Sequence, residues 1–273
     1  MAETPFLQAL RLPGVAAEAV LQVECQWLQP SAPRAAAPLI VFLHEGLGSL
    51  GQWRDFPQQL CEALGCRGLV YSRPGYGRST ALPGERDWPV DYLQRQAREQ
   101  LPALFDALGL QQERLLLFGH SDGASLALLF AAAFPDRVAA VVAMAPHLFV
   151  EPLTLQGLRE VRRAYEAPGS ELREALARRH ADADLAFYRW NEAWLRPDFE
   201  HWNIEAEVAA IRCPVLALQG VDDEYGTLAQ IETIGKLCSR ARVLALEQCG
   251  HSPQRDQPER VIALCHAFLE DCA

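Results

Sequence analysis

LLLFGHSDGAS, residues 115–125, places a serine between two glycines where an apolar run gives way to a helical pattern. Gly119-His120-Ser121-Asp122-Gly123 reads as G-x-S-x-G. A serine that projects from a sharp strand-to-helix turn needs flanking residues without bulky side chains. Its hydroxyl then lies at a helix N-terminus, where the helix dipole favours negative charge. The pattern predicts that Ser121 is a nucleophile; the alternative is a serine that only caps the helix.

Apolar runs on either side of this motif predict a sheet. Continuous runs without polar alternation are typical of parallel strands buried on both faces. Such runs occur at LIVFL (39–43), GLVYS (68–72), RLLLF (114–118), VAAVVAM (138–144), PVLALQG (214–220) and RVLAL (242–246). Helical patterns alternate with them at 53–64, 91–108, 121–134 and 257–270. The alternation predicts an α/β fold with a mostly parallel, doubly wound sheet. VLQVECQWL (20–28) alternates polar with apolar residues, which predicts a half-exposed antiparallel strand.

The alternation of strands and helices stops after Met144 and resumes at Pro214. The intervening sequence is helical, charged and rich in aromatic residues. We therefore predict a core formed by 1–146 and 211–273, with a helical cap, 147–210, inserted into it. Pro146 and Pro214 mark the edges of this insertion.

Composition narrows the possible classes of function. The chain has 273 residues, 50% of them hydrophobic, and a net charge of −10. An acidic chain lacks the electrostatic footprint of a nucleic-acid-binding protein. The most apolar run, 124–134, is shorter than the roughly 20 residues of a membrane span, and the N-terminus lacks a signal-peptide pattern. We expect a cytoplasmic protein with no membrane partner. The eight cysteines have no zinc-like spacing, so no metal or cofactor is expected.

Five motifs in chain order resemble those of the α/β-hydrolase superfamily. They are FLHEGLGS (42–49), YSRPGYGRS (71–79), GHSDG (119–123), LQGVDDEYG (218–226) and QCGHSPQRDQPERV (248–261). The resemblance covers nearly the whole chain. It implies the fold predicted above and a serine–aspartate–histidine triad in that order along the chain.

The resemblance assigns the triad to Ser121, Asp223 and His251. Ser121 would attack a carbonyl carbon, and His251 would accept the serine's proton and return it to the leaving group. The family's usual spacing after the strand selects Asp223 as the residue that orients the imidazole. Asp222, and more weakly Glu224, remain alternatives, since a slip of one residue is easy to make.

The resemblance also implies an oxyanion hole formed by the backbone N–H groups of Asp122 and Gly46. The family's turn usually begins His-Gly, whereas here Glu45 follows His44. Three interpretations of Glu45 follow: its side chain points away toward Arg73 or Arg78, it pairs with buried polar groups, or it faces the pocket and binds a cationic or hydroxylated substrate group.

Five residues are candidates for substrate binding: Glu45, Leu47, His147, Trp190 and Trp194. A further hypothesis places the Asp122 carboxylate against a substrate amine. The aromatic residues of the cap favour an apolar group in a small substrate rather than a polymer.

The function predicted is serine hydrolysis of a small carboxylic ester, lactone or related acyl compound through an acyl-enzyme on Ser121. Carbon–carbon bond or amide hydrolysis with the same triad is the alternative within enzymes. A non-catalytic ligand-binding protein on the same fold is the alternative outside them. The sequence leaves the oligomeric state open.

Overall fold

In a computed structural model, which describes residues 2–12, 20–81 and 88–272, the chain forms an eight-stranded sheet with helices on both faces. The strands are β1 (Phe6–Leu10), β2 (Leu21–Leu28), β3 (Leu39–Leu43), β4 (Gly68–Tyr71), β5 (Leu115–His120), β6 (Val138–Met144), β7 (Val215–Gly220) and β8 (Ala241–Leu246). Their order is β1-β2-β4-β3-β5-β6-β7-β8. β2 pairs antiparallel with β1 and β4, and the other pairs are parallel. The predicted fold class is confirmed.

Helices connect the strands. They are α1 (Phe56–Leu64), α2 (Tyr92–Arg95), α3 (Leu101–Ala107), α4 (Asp122–Ala133), α5 (Pro152–Glu166), α6 (Glu171–Ala177), α7 (Ala183–Leu195), α8 (Glu205–Ala209), α9 (Ala229–Leu237), α10 (Pro253–Asp256) and α11 (Pro258–Glu270). Of these, α9 and α10 lie where no helix was predicted. A π-helical segment, Gln96–Gln100, joins α2 to α3. Within the described ranges, no helix is both long and apolar enough to cross a membrane.

Strand β5 shows why the apolar runs lack alternation. All six of its residues are buried. Leu117 belongs to the apolar cluster on the α4 face of the sheet. Phe118 belongs to the cluster on the opposite face, where its ring lies 5.5 Å from that of Phe56 on α1. Because helices cover both faces, consecutive residues of a parallel strand must all be apolar.

Strand β2 departs from its predicted alternation at Glu24, one of the polar positions of VLQVECQWL that the alternation places on the exposed face. Glu24 is buried. Its carboxylate accepts hydrogen bonds from Ser72 Oγ at 2.7 Å and from the Arg78 N–H at 3.2 Å. Its own N–H donates to Ser79 Oγ at 2.9 Å. A buried carboxylate is stable only when it is hydrogen-bonded, and here it ties β2 to the loop that follows β4.

The segment between β6 and β7 contains α5–α8 and has a small apolar cluster of its own. The rings of Tyr165 and Phe187 stack with their centroids 3.7 Å apart. The Asn191 side chain donates to the Leu158 carbonyl at 3.0 Å, which joins α7 to α5. These two helices carry side chains toward the carboxyl ends of the parallel strands, where ligands bind in open α/β sheets.

Candidate active site

A strained turn between β5 and α4 holds Ser121. Its φ is 53° and its ψ is −121°, a conformation that residues with a side chain rarely adopt. The two flanking glycines make the turn possible. A Cβ on Gly119 would lie 2.2 Å from the Gly123 carbonyl oxygen, and one on Gly123 would lie 2.0 Å from that of Leu43. The G-x-S-x-G spacing therefore reflects close approach of the backbone on both sides of the serine.

Gly123→Ala should destabilise the fold, because the added methyl group would meet the backbone of β3, which cannot rotate away as a side chain can. We expect a loss of roughly 2–3 kcal/mol in the free energy of unfolding, typical of overpacking, measured by urea denaturation. Gly51→Ala is the matched control, since a Cβ there meets no atom within 4 Å. Equal stability of the two variants would contradict this explanation of the glycine.

Ser121, His251 and Asp223 form a continuous chain of hydrogen bonds. Asp223 Oδ1 lies 2.8 Å from His251 Nδ1, and His251 Nε2 lies 2.9 Å from Ser121 Oγ. An ionised carboxylate only accepts hydrogen bonds, so Nδ1 carries the ring proton and Nε2 is left with a lone pair. The serine hydroxyl therefore donates to Nε2, and this arrangement can remove the hydroxyl proton when the oxygen attacks.

Asp223 is buried in a set of donors supplied by its own loop. Its carboxylate accepts from the N–H groups of Tyr225 at 2.9 Å and Gly226 at 3.3 Å, and from Gln219 Nε2 at 3.1 Å. Burial opposes ionisation, but the contact with His251 and the hydrogen bond from the Tyr225 N–H hold the pKa of Asp223 below its usual value. The neighbouring Asp222 is exposed. Of the two aspartates, the structure brings Asp223 against the imidazole.

Two candidate oxyanion donors lie beside Ser121. Asp122 is the first residue of α4, and the first N–H groups of a helix have no partner within it. Gly46 lines the same cavity from the loop after β3. A Cβ on Gly46 would lie 2.0 Å from Trp190 Nε1 on α7, so that indole packs directly against this glycine.

His44 and Arg73 support the loop that carries Gly46. His44 Nδ1 donates to the Glu45 carbonyl at 2.7 Å, and its Nε2 accepts from the Arg73 N–H at 3.0 Å. Burial and the nearby Arg73 charge hold the pKa of His44 well below its usual range. Both ring nitrogens are occupied, so His44 acts as a brace. Arg73 Nη2 adds a second hydrogen bond to the Glu45 carbonyl at 2.8 Å.

The interpretation that directs the Glu45 side chain to Arg73 or Arg78 is wrong. Arg73 contacts the Glu45 backbone, whereas Glu45 Oε2 lies 3.6 Å from His120 Nδ1. His120 in turn donates from Nε2 to the His251 carbonyl at 2.7 Å. Gln254 Nε2 lies 3.1 Å from His120 Nδ1. The ring of His120 thus joins the glycine-rich loop to the histidine loop.

The Asp122 carboxylate already has protein partners. It is buried and accepts from Tyr92 Oη at 2.9 Å, and Arg73 Nη1 lies 3.5 Å away. Burial raises the pKa of Asp122 in spite of the nearby guanidinium. Trp194 Nε1 donates to Tyr92 Oη at 2.8 Å, which links α7 to this group. These contacts argue against the hypothesis that Asp122 meets a substrate amine.

A cavity opens at Ser121, between the glycine-rich loop and helices α5 and α7. Every predicted substrate-binding residue lines it, together with the triad serine and histidine: Glu45, Leu47, Ser121, His147, Trp190, Trp194 and His251. Sequence reasoning missed three further lining residues, Thr154, Leu158 and Tyr225. The Tyr225 ring lies 4.8 Å from that of His251, and its position two residues after Asp223 was the available signal. Burial lowers the pKa of His147 to about 3, so its ring is neutral.

The chain is similar in sequence and in structure to known hydrolases. A model of the alpha/beta hydrolase family matches residues 40–264. A 2-hydroxy-6-oxo-6-phenylhexa-2,4-dienoate hydrolase of Comamonas testosteroni is 23% identical over 255 residues, which span 84% of this chain and 87% of that protein. A 2-hydroxymuconate semialdehyde hydrolase of Pseudomonas sp. strain CF600 is 26% identical over 87% of this chain and 88% of its own. The structure of an esterase from Thermogutta terrifontis superposes with a TM-score of 0.73 at 20% identity, covering 98% of this chain and 99% of that one.

Proposed function

Because the chain belongs to the alpha/beta hydrolase family, and is therefore a hydrolytic enzyme, we propose that it is a serine hydrolase that cleaves a small ester, lactone or related acyl compound. The observation that carries the proposal is the chain of hydrogen bonds from Asp223 through His251 to Ser121, at 2.8 and 2.9 Å, which ends in the cavity. Such a chain activates a hydroxyl that is otherwise a weak nucleophile at neutral pH.

In the proposed reaction, Ser121 Oγ attacks the substrate carbonyl carbon while His251 Nε2 accepts the hydroxyl proton. The carbonyl π electrons move to oxygen, and the N–H groups of Asp122 and Gly46 stabilise the resulting oxyanion. When the tetrahedral intermediate collapses, the bond to the leaving group breaks and His251 returns the proton to that group. Water, deprotonated by the same imidazole, then releases the acid from Ser121. Asp223 keeps the imidazole in the required tautomer throughout.

We further propose that the 147–210 segment acts as a cap over this site. Its support comes from Thr154, Leu158, Trp190 and Trp194, which line the cavity from α5 and α7. The contact of Trp190 with Gly46 joins the segment to the glycine-rich loop. Apolar and aromatic walls of this kind favour a small substrate with an apolar acyl group.

A second candidate is cleavage of a carbon–carbon bond beside a ketone. The two curated relatives favour it, since one is named for a 2-hydroxy-6-oxo-dienoate and the other for a muconate semialdehyde. The same serine can attack a ketone carbonyl, with a stabilised carbanion as the leaving group. Those named substrates carry carboxylates, so the charge of the cavity helps to distinguish carbon–carbon bond cleavage from ester or lactone hydrolysis.

Covalent labelling tests the main proposal. We expect a fluorophosphonate probe to react with the native enzyme and peptide mass spectrometry to locate the adduct on Ser121. Unfolded protein serves as the control, because it contains the same serines without the hydrogen-bonded imidazole. A panel of short p-nitrophenyl esters then reports turnover. Absence of labelling, or an adduct on a different residue, would refute the assignment of Ser121 as the nucleophile.

A further inference from the structure

The charged groups around the cavity determine which substrate charge the site can accept. Glu45 is the carboxylate of the glycine-rich loop; it lines the cavity, and its side chain keeps 28% of its surface exposed. Burial opposes its ionisation, but the adjacent His120 ring lowers the pKa of Glu45 to about 2. The carboxylate of Glu45, a residue of the cavity wall, is therefore ionised at neutral pH.

Arg73 and His120, two groups near the cavity that can carry a positive charge, each have a carboxylate beside them. Arg73 is buried with Asp122 at 3.5 Å. His120 lies 3.6 Å from Glu45. Its two ring nitrogens already have protein partners, the His251 carbonyl at 2.7 Å and Gln254 Nε2 at 3.1 Å. Neither group offers an uncompensated charge to a ligand.

The two remaining imidazoles add no free cation either. His147 is buried and neutral. A charge that His251 gains by accepting the serine proton would face Asp223, which lies 2.8 Å away. Among the described residues that line the cavity there is no lysine or arginine. A substrate carboxylate would lose its hydration there without gaining an ion pair, which is strongly unfavourable.

We propose that the acyl substrate of this enzyme carries no carboxylate near its reacting carbonyl, and that Glu45 is the side chain that excludes one. This inference rests on the proposed serine hydrolase function and narrows its substrate class to uncharged or cationic acyl compounds with an apolar body. It favours an ester or lactone over the carboxylate-bearing substrates of the carbon–carbon candidate. Glu45 acts through charge repulsion, which reaches a ligand group it does not touch.

Three p-nitrophenyl esters of similar acyl length test the inference: the hexanoate, the mono-ester of adipate, and the 6-trimethylammonio-hexanoate. In the wild type we expect kcat/KM for the neutral ester to exceed that for the anionic one by about ten-fold or more, the factor that about 1.4 kcal/mol of repulsion produces. The cationic ester should not be disfavoured, so we expect its kcat/KM to be no lower than that of the neutral ester.

Glu45→Gln keeps the shape of the side chain and removes its charge. We expect the ratio of neutral to anionic kcat/KM to fall by roughly three-fold or more in this variant. A ratio within one protein is insensitive to a general loss of activity or of folded enzyme. Glu113→Gln is the matched control, since Glu113 pairs with Arg67 on the surface just before β5, at the opposite end of that strand from Ser121.

The outcomes separate the two proposals. Equal kcat/KM for the neutral and anionic esters in the wild type would overturn the inference and leave the serine hydrolase function standing. An unchanged ratio in Glu45→Gln would overturn the role of Glu45. No hydrolysis of any ester, or hydrolysis that persists in Ser121→Ala, would overturn the proposed function itself.

Discussion

Ser121→Ala is expected to lower kcat for ester hydrolysis by about 10⁴-fold or more, the scale seen when a serine nucleophile is removed. The alanine leaves His251 Nε2 without the hydroxyl that it contacts at 2.9 Å. No covalent intermediate can form, and only the oxyanion donors and binding remain. Steady-state hydrolysis of a p-nitrophenyl ester measures the loss, and retained binding of a non-reactive ketone analogue shows that the cavity persists.

Ser239→Ala provides the control for the serine substitution. Ser239 lies exposed in the turn between α9 and β8, so its replacement should leave kcat within about two-fold, as for most surface substitutions. If Ser121→Ala kept more than about a hundredth of the wild-type rate, a level that other interactions alone do not sustain, Ser121 would not be the nucleophile.

Asp223→Asn should have the second largest effect, a loss of about 10⁴-fold in kcat, as expected when the orienting acid of such a triad becomes an amide. An amide nitrogen placed against His251 Nδ1 would donate to it and move the ring proton to Nε2. The imidazole could then no longer accept the proton of Ser121. The shape of the side chain is kept, so circular dichroism and thermal unfolding should remain close to those of the wild type.

Asp222→Asn removes the same charge one residue away and is the matched control. Asp222 is exposed, and its N–H bonds to the Cys249 carbonyl at 3.0 Å through the backbone alone. We expect kcat within about two-fold of the wild type. Comparable losses in both variants would mean that net charge, rather than the contact with His251, determines the rate.

Local patterns were sufficient to predict the central part of the sheet. Runs such as LIVFL and LLLF are apolar at every position because helices cover both faces of the sheet. An apolar run without alternation is the pattern expected for a strand buried in this way. Strand β1 was missed. It is a five-residue edge strand in which only Leu10 is buried, and so short a segment carries too little pattern to be distinguished from a loop until its partner β2 is in place.

Long-range polar contacts account for the errors. Glu24 reads as an exposed strand residue, but Ser72 and Arg78, about 50 positions away, bury and satisfy it. One of the three interpretations of Glu45 directed its side chain toward Arg73 or Arg78. Instead the Arg73 guanidinium contacts the Glu45 carbonyl, Gln96 and Asp122, which come together only in the folded chain. Sequence spacing contains no information about such competition between partners.

The candidate site likewise has a part that a local motif predicts and a part that depends on tertiary packing. The motif around Ser121 is local, since the glycines are required by contacts within the turn and with β3. The cavity wall is not local, because Thr154, Leu158 and Tyr225 reach it from two separate segments. Of these three residues, Tyr225 alone lies within one of the five motifs, LQGVDDEYG. Residues on the inserted helices could be predicted as a group, from their aromatic character, but their individual positions depend on tertiary packing.

The packing of Trp190 on Gly46 couples two positions that lie 144 residues apart in the chain. A side chain at position 46 would collide with the indole, whereas the same change would be tolerated if position 190 held a small residue. The effect of a mutation at position 46 therefore depends on the residue at position 190, which is epistasis. Laboratory evolution of this enzyme toward larger substrates should consequently reach changes at position 46 only after Trp190 has been replaced.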